Sequence, residues 1–242
     1  MPSIQWSSAA ATHVGCVRKI NEDSIYEGSA KGLWVVADGM GGHSAGDVAS
    51  QSIVSALAQF NPTSDFAETV DSLENILINV NSTLVTMSQA AESRRVIGST
   101  AVVFFVSQTG AAVCLWVGDS RLYRLRNNAL QQLSQDHSQI EEMISGGVIR
   151  RQDAEMHSAA NIITRAIGGD KQLYVDIDLI DIKAGDRFLL CSDGLYKDLS
   201  EEDIANQMIA GKTPPHICAA LVDESLKKGG IDNVSVIVIG FP

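Results

Sequence analysis

Seven short apolar runs, rich in β-branched residues, are grouped around two pairs of helical patterns, and that order most limits the folds open to this chain. The runs are Leu33 to Ala37, Thr100 to Val106, Ala111 to Val117, Arg121 to Leu125, Val175 to Ile180, Arg187 to Cys191 and Val234 to Ile239. One helix is predicted from the single face formed by Ala45, Val48, Ala49, Ile53, Ala56, Leu57 and Phe60. A second starts at Phe66, whose face continues through Val70, Leu73, Leu77, Val80, Leu84 and Met87. Asn61-Pro62 separates them, which predicts an antiparallel pair. A further pair is predicted at Glu201 to Ile209 and Pro214 to Lys227, with Ser200 as N-cap and Asp203 three residues on. A parallel sheet needs strand and helix to alternate, whereas here the helices come in twos between groups of strands. The expected class is α+β, with antiparallel sheets and helices layered outside them.

No Pro/Gly/Ser-rich or charge-block linker interrupts the pattern, so residues 1–242 are expected to form one domain. The periodicity weakens between Asp136 and Ile163, which predicts a small excursion or flap over the main body. Composition narrows the partners. The chain has 18 Lys and Arg against 29 Asp and Glu, a formal charge of −11, and lacks the basic footprint that nucleic acids or anionic membranes require. No apolar run approaches the ~20 residues of a membrane span, and the start has no basic-then-apolar leader. The four cysteines, Cys16, Cys114, Cys191 and Cys218, form no CxxC pair. A reducing cytoplasm is the expected compartment.

The informative residues are four aspartates at the ends of predicted strands. Asp38 follows Leu-Trp-Val-Val-Ala, Asp119 follows Leu-Trp-Val-Gly, Asp193 follows Leu-Leu-Cys-Ser, and Asp232 precedes Asn233 and the last apolar run. Singly, an Asp beside a Gly at a strand end is a turn. Together on one sheet edge they would repel one another and raise each other's pKa, a penalty that a bound cation removes. Oxygen ligands without a His/Cys cluster point to hard ions, Mg²⁺ or Mn²⁺, rather than structural zinc. Two such ions could activate a water and neutralise a phosphoryl oxygen.

A second cluster, Arg18-Lys19-Ile20-Asn21-Glu22-Asp23, is either a solvated charged turn or a phosphate-binding segment. In the second reading the planar guanidinium of Arg18 grips phosphate and Glu22 holds metal-bound water. The run Asp38-Gly39-Met40-Gly41-Gly42-His43 fits neither the dinucleotide nor the P-loop pattern; its glycines suit a tight turn that exposes a carbonyl. His43 is either a surface residue opening a helix or a proton donor. His137 is read as a structural hydrogen-bonding residue. No GxSxG surrounds a serine, the cysteines lack an activating neighbour, and aromatics at 5% are too few for a glycosidase cleft.

Read in order, Arg18-x-x-Asn21-Glu22-Asp23, Val36 to His43, Gly98-Ser99-Thr100, Gly118-Asp119-Ser120-Arg121, Leu133-Ser134-x-Asp136-His137-Ser138, Arg165-Ala166-Ile167-Gly168, Leu190 to Leu195 and Asp232-Asn233-Val234-Ser235 resemble the metal-dependent serine/threonine phosphatases of the PP2C (PPM) family. The resemblance spans nearly the whole chain, and it is the order of eight segments that makes it specific. It implies a four-layer α-β-β-α sandwich of two antiparallel sheets flanked by antiparallel helix pairs, with a binuclear Mn²⁺ or Mg²⁺ site at one end. It would make Asp38 the bridging ligand, put the Gly39 carbonyl on the first ion and Asp193 and Asp232 on the second, let Glu22 act through water and let Arg18 hold phosphate. In the bacterial branch a weaker third ion is shared by the positions of Asp119 and Asp193, and the 136–163 excursion is a flap that influences substrate choice. Many eukaryotic members carry a histidine, the proposed general acid, where this chain has Met40; bacterial members, like this chain, carry it after the glycines, at His43.

The activity so implied is hydrolysis of phosphoserine and phosphothreonine monoesters by a water or hydroxide activated at the metal centre, without a phosphoenzyme. Expected partners are phosphorylated proteins, targets of a bacterial Ser/Thr kinase and the kinase itself among them, with no nucleic acid and no membrane, the phosphatase acting as a monomer. The rival is a catalytically silent, metal-binding pseudophosphatase that recognises a phosphorylated partner. It sits poorly with a sequence that keeps Arg18, Asp38, Asp193 and Asp232.

Overall fold

A computed structural model describes residues 4–41, 45–90, 96–153, 157, 159 and 162–242. Its strands alternate their side chains between two apolar environments, and this pleat builds the layers. In β3 (Leu33–Met40), Leu33, Val35 and Ala37 face one way and Trp34 and Val36 the other. In β5 (Ala101–Val106) and β6 (Ala112–Val117) the same division holds, with Val103, Phe105, Val113 and Leu115 on the first face and Val102, Phe104, Cys114 and Trp116 on the second. The first face is covered by α1 (Ala45–Ala58) and α2 (Phe66–Ala90), through Ala49, Ile53, Leu57, Leu73, Leu77 and Leu84.

The second face meets a second sheet. There β10 (Arg187–Cys191) contributes Phe188 and Leu190, and β11 (Val234–Gly240) contributes Ile237 and Ile239. Their alternate residues, Leu189, Cys191, Val234, Val236 and Val238, point outward onto α5 (Glu201–Ala210) and α6 (Pro214–Lys228). Three apolar layers between four structural ones make the α-β-β-α sandwich that the family resemblance implies.

Five strands are paired through one sheet in the order β1-β11-β10-β7-β8, and five through the other in the order β2-β3-β5-β6-β9, where the two-residue β4 (Gly98–Ser99) also pairs with β3; every pairing is antiparallel. The remaining strands are β1 (Ser7–His13), β2 (Asp23–Gly28), β7 (Arg121–Arg126), β8 (Ala129–Gln132) and β9 (Asp176–Ile180). β1, β2, β4 and β8 have no counterpart among the predicted runs. β1, with the sequence SSAAATH, has little apolar alternation and owes its place to seven-residue pairing with β11. β8 does carry a signal: Asn127 and Asn128 both take left-handed φ, the two-residue hairpin turn that joins it to β7. The predicted second helix pair begins as expected at Ser200, where a complete capping box forms with Asp203.

The 136–163 excursion contains α3 (Gln139–Ser145), capped by Ser138, and its two ends are joined by a bridge between Ser138 and Ile163. Three short helical elements remain among the described residues, α4 (Asp193–Tyr196) and single 3-10 turns at Ser29–Lys31 and Arg151–Asp153.

The two sheets are stapled by an aromatic column. Trp34 stacks on Phe104 at 6.1 Å, Phe104 on Phe188 at 4.8 Å, and Phe188 meets Phe241 edge-on at 5.6 Å. Phe104→Ala is expected to cost about 3–5 kcal/mol of unfolding free energy with an unchanged denaturant slope, measured by urea titration. A loss below about 1 kcal/mol would show that this column does not carry the inter-sheet packing.

Candidate active site

The site is made where strands of both sheets end at the same side of the sandwich. Antiparallel pairing of β2 with β3 sets Asp23 directly opposite Asp38. β3 does not stop at Asp38, as an Asp-Gly turn would; it runs on through Gly39 and Met40 because β4 pairs with both. The backbone around Asp38 is fully engaged: its carbonyl accepts from Thr100 N–H at 2.9 Å and from the Ser99 hydroxyl at 2.8 Å. Gly39 is required by crowding, since a Cβ there would lie 2.1 Å from the Gly46 carbonyl oxygen at the start of α1.

Gly118, with φ +100°, turns the chain at the end of β6 and delivers Asp119. Its N–H donates to His137 Nδ1 at 2.9 Å, so His137 is the structural hydrogen-bonding residue that the sequence suggests. From the other sheet, Asp193 opens α4 after β10, and Asp232 stands just before β11.

Asn233 ties the loop that carries Arg18 and Glu22 to this end of β11. Its Nδ2 donates to the carbonyls of Val14 (2.8 Å) and Ile20 (3.0 Å), and its Oδ1 accepts from Glu22 N–H at 2.8 Å. A cleft of about 670 Å³ results, lined by Arg18, Glu22, Asp38, Gly39, Asp193 and Asp232 among others. Asp119 lies beside it, deeply buried. His43 lies outside the described residues.

Electrostatics at this mouth are strained. Burial, then the charges of Asp193, Asp23, Asp119 and Asp232, hold the Asp38 carboxyl well above the usual carboxylate range. Burial likewise pushes Asp23 up to about 7 despite a 2.7 Å hydrogen bond from the Ser192 hydroxyl, and burial with the charge of Asp193 pushes Asp119 up to about 7. Glu22 Oε1, Asp23 Oδ1 and Asp119 Oδ1 are buried oxygens with no hydrogen-bond partner. Two other carboxylates are held by side-chain cations: Asp232 by Arg18 at 2.6 Å, and Asp193 by Lys197 four residues on.

Among the described residues, no three Asp, Glu, His or Cys side chains converge at metal-ligand spacing. The donor set still suits hard divalent ions: all-oxygen ligands, unpartnered buried oxygens, and carboxyls whose mutual repulsion a cation would relieve.

Asp23, Ser192, Lys197 and Asn233 take part here without having been given roles from sequence. For Asp23 a signal existed, as it occupies the position that must face Asp38 once β2 pairs with β3. For Lys197 there was only its helical spacing from Asp193.

The protein phosphatase 2C family model matches residues 17–221. The serine/threonine phosphatase stp of Listeria monocytogenes serotype 4b is 33% identical over 235 residues, covering 94% of this chain and 93% of that protein. Among solved structures, PppA, a key regulatory component of T6SS in Pseudomonas aeruginosa, superposes with a TM-score of 0.90 at 37% identity over 99% of this chain and 100% of that one. The catalytic domain of the serine threonine protein phosphatase PstP, solved in complex with 2 manganese ions, superposes with a TM-score of 0.85 at 32% identity, over 97% of each chain.

The raised pKa of Asp23 has a definite sign for stability. The folded chain holds a proton there up to about pH 7, whereas the unfolded chain releases it near pH 4, so stability is lost as pH rises between those values. In chelator-treated protein, Asp23→Asn should therefore melt close to wild type at pH 5 and above it at pH 8. Differential scanning fluorimetry across that range checks this, and a pH-independent difference in melting temperature contradicts it.

Proposed function

The chain belongs to the protein phosphatase 2C family, and from that premise we propose that Arg18, Glu22, Asp38, Gly39, Asp119, Asp193 and Asp232 are the working residues of its phosphatase site. It is a protein serine/threonine phosphatase that acts on phosphorylated proteins. The observation that carries the residue assignment is the Asp38 carboxyl, pushed up by burial and by four neighbouring aspartates, at the floor of a cleft whose rim carries Arg18. A mere turn would leave such a group in solvent.

Two Mn²⁺ or Mg²⁺ ions, when bound, supply a polarised nucleophilic water and neutralise the phosphoryl oxygens. On this reading Asp38 and the Gly39 carbonyl hold the ions from one sheet, Asp193 and Asp232 hold them from the other, and Glu22 acts through water. The guanidinium of Arg18, now closed on Asp232, is half-exposed and sits where it can turn to grip a phosphate with two parallel hydrogen bonds. Asn233 keeps Arg18 and Glu22 in register with Asp232 by its three hydrogen bonds, which is positioning rather than chemistry. With those ions bound, their charge together with that of Arg18 would let a chain of net charge −11 accept a dianionic substrate.

Finer assignments belong to the same reading. His43 is the candidate for protonating the serine or threonine leaving group. The segment 136–163 acts as the substrate-selecting flap on a single domain of 1–242. The substrates are targets of a bacterial Ser/Thr kinase, the kinase among them, and the phosphatase works as a cytoplasmic monomer. Among the described residues no helix is long and apolar enough to cross a membrane.

The test is phosphate release from a phosphothreonine peptide by chelator-stripped protein, with and without Mn²⁺. Wild type should require the ion, and Asp38→Asn should fall to background while the ion-free variant melts no lower than wild type. Metal binding without turnover on several phosphopeptides would favour the pseudophosphatase instead. Arg18→Ala should raise KM about ten- to hundredfold with kcat little changed, the ~1.5–3 kcal/mol of a charge-assisted hydrogen bond made in ground and transition state alike. A fall in kcat at constant KM would place Arg18 on the transition state alone.

A further inference from the structure

The family resemblance leads one to expect a weaker third ion between Asp119 and Asp193, and a lysine side chain stands at that pair. Lys197 closes one turn of helix after Asp193, and its Nζ contacts Asp193 Oδ2 directly. Asp193 is largely withdrawn from solvent, at 11% exposure, while Lys197 reaches it from the exposed edge with 36% of its side chain accessible. After burial, the charge of Asp193 acts most strongly in raising Asp119, and the charge of Lys197 acts against it. Lys197 is in turn held in its charged form by Asp193, Asp119 and Asp38, against a burial cost.

Neighbouring Tyr196 closes the other side. Its hydroxyl donates to the Asp119 carbonyl at 2.9 Å, and its ring is clamped by the Arg121 guanidinium 3.5 Å above its centre. Arg121 is fixed by Asp136, with Nη2 to Oδ2 at 2.6 Å, and by the Tyr123 hydroxyl at 2.8 Å. A divalent ion shared by Asp119 and Asp193 would have to expel the ammonium from Asp193 and then sit beside it, where two like charges a few ångströms apart repel.

We propose that the Lys197 ammonium takes the place of the third divalent ion, so that this chain is a two-ion phosphatase whose Asp119–Asp193 pair is neutralised from within. The proposal rests on the metal-centre reading above. A side-chain cation is always present, whereas a weakly held ion comes and goes with its free concentration; the charge at this corner of the cleft is thereby independent of divalent supply.

The experiment counts ions rather than turnover. Chelator-stripped protein is titrated with Mn²⁺ by calorimetry, and bound ions are counted by equilibrium dialysis. Wild type and Lys197→Arg should bind two ions. Lys197→Met should gain a third, weaker one, which adding Asp119→Asn removes. Lys197→Gln serves the same purpose should the Met variant melt early. A third ion in wild type that disappears in Asp119→Asn overturns the proposal, as does a folded Lys197→Met or Lys197→Gln that still stops at two. Wild type binding fewer than two ions is a different failure, since it brings down the metal-centre reading and the proposal with it.

Discussion

Everything at the catalytic end rests on the face-to-face packing of the two sheets. Each central strand is apolar on both sides, so β3, β5 and β6 are covered by α1 and α2 outside and by β10 and β11 inside. Once Trp34, Phe104 and Phe188 interlock, neither sheet can slide along the other without opening the aromatic column. A one-residue slip within a sheet would be worse, turning every side chain to the opposite layer. Strand ends are thereby placed to within a fraction of a residue, and the loops that carry Asp38, Asp119, Asp193 and Asp232 inherit that placement.

Rigid placement is what makes the charge cluster tolerable. Left mobile, five aspartates near one another would move apart into water. Held by Ser99, Thr100, Ser192 and the β2–β3 ladder, Asp38 and Asp23 stay and accept raised pKa values instead, as does the buried Asp119. The strain is then available for binding cations, since neutralising ions recover the energy that folding spent in burying the carboxylates. Arg18 and Lys197 recover part of it from within the chain, and they divide the work differently. Arg18, half-exposed on a loop, can exchange Asp232 for a phosphate; Lys197, on a helical turn against Asp193, is held in place.

Much of this could be read from the residues. The pairing of helices, the alternation in the strands, the capping box at Ser200 and the aspartates at strand ends are all local signals, set by side-chain periodicity and turn chemistry over a few positions. The hairpin at Asn127-Asn128 rests on an equally local signal. β1 was beyond such reasoning, because seven Ser, Ala, Thr and His residues become a strand only when β11 offers its edge.

By itself, then, the sequence determined the layer order and the identity of the oxygen-bearing residues, since those follow from hydrophobic period and residue chemistry. Which carboxylates meet was decided by tertiary structure, because convergence depends on side-chain contacts between residues as far apart as Ser192 and Asp23, or Arg18 and Asp232. The countercharges were decided there too. Nothing local distinguishes Lys197 from any lysine four residues after an aspartate; only the burial of Asp193 and Asp119 around it turns an ordinary surface pair into a fixed cation of the site.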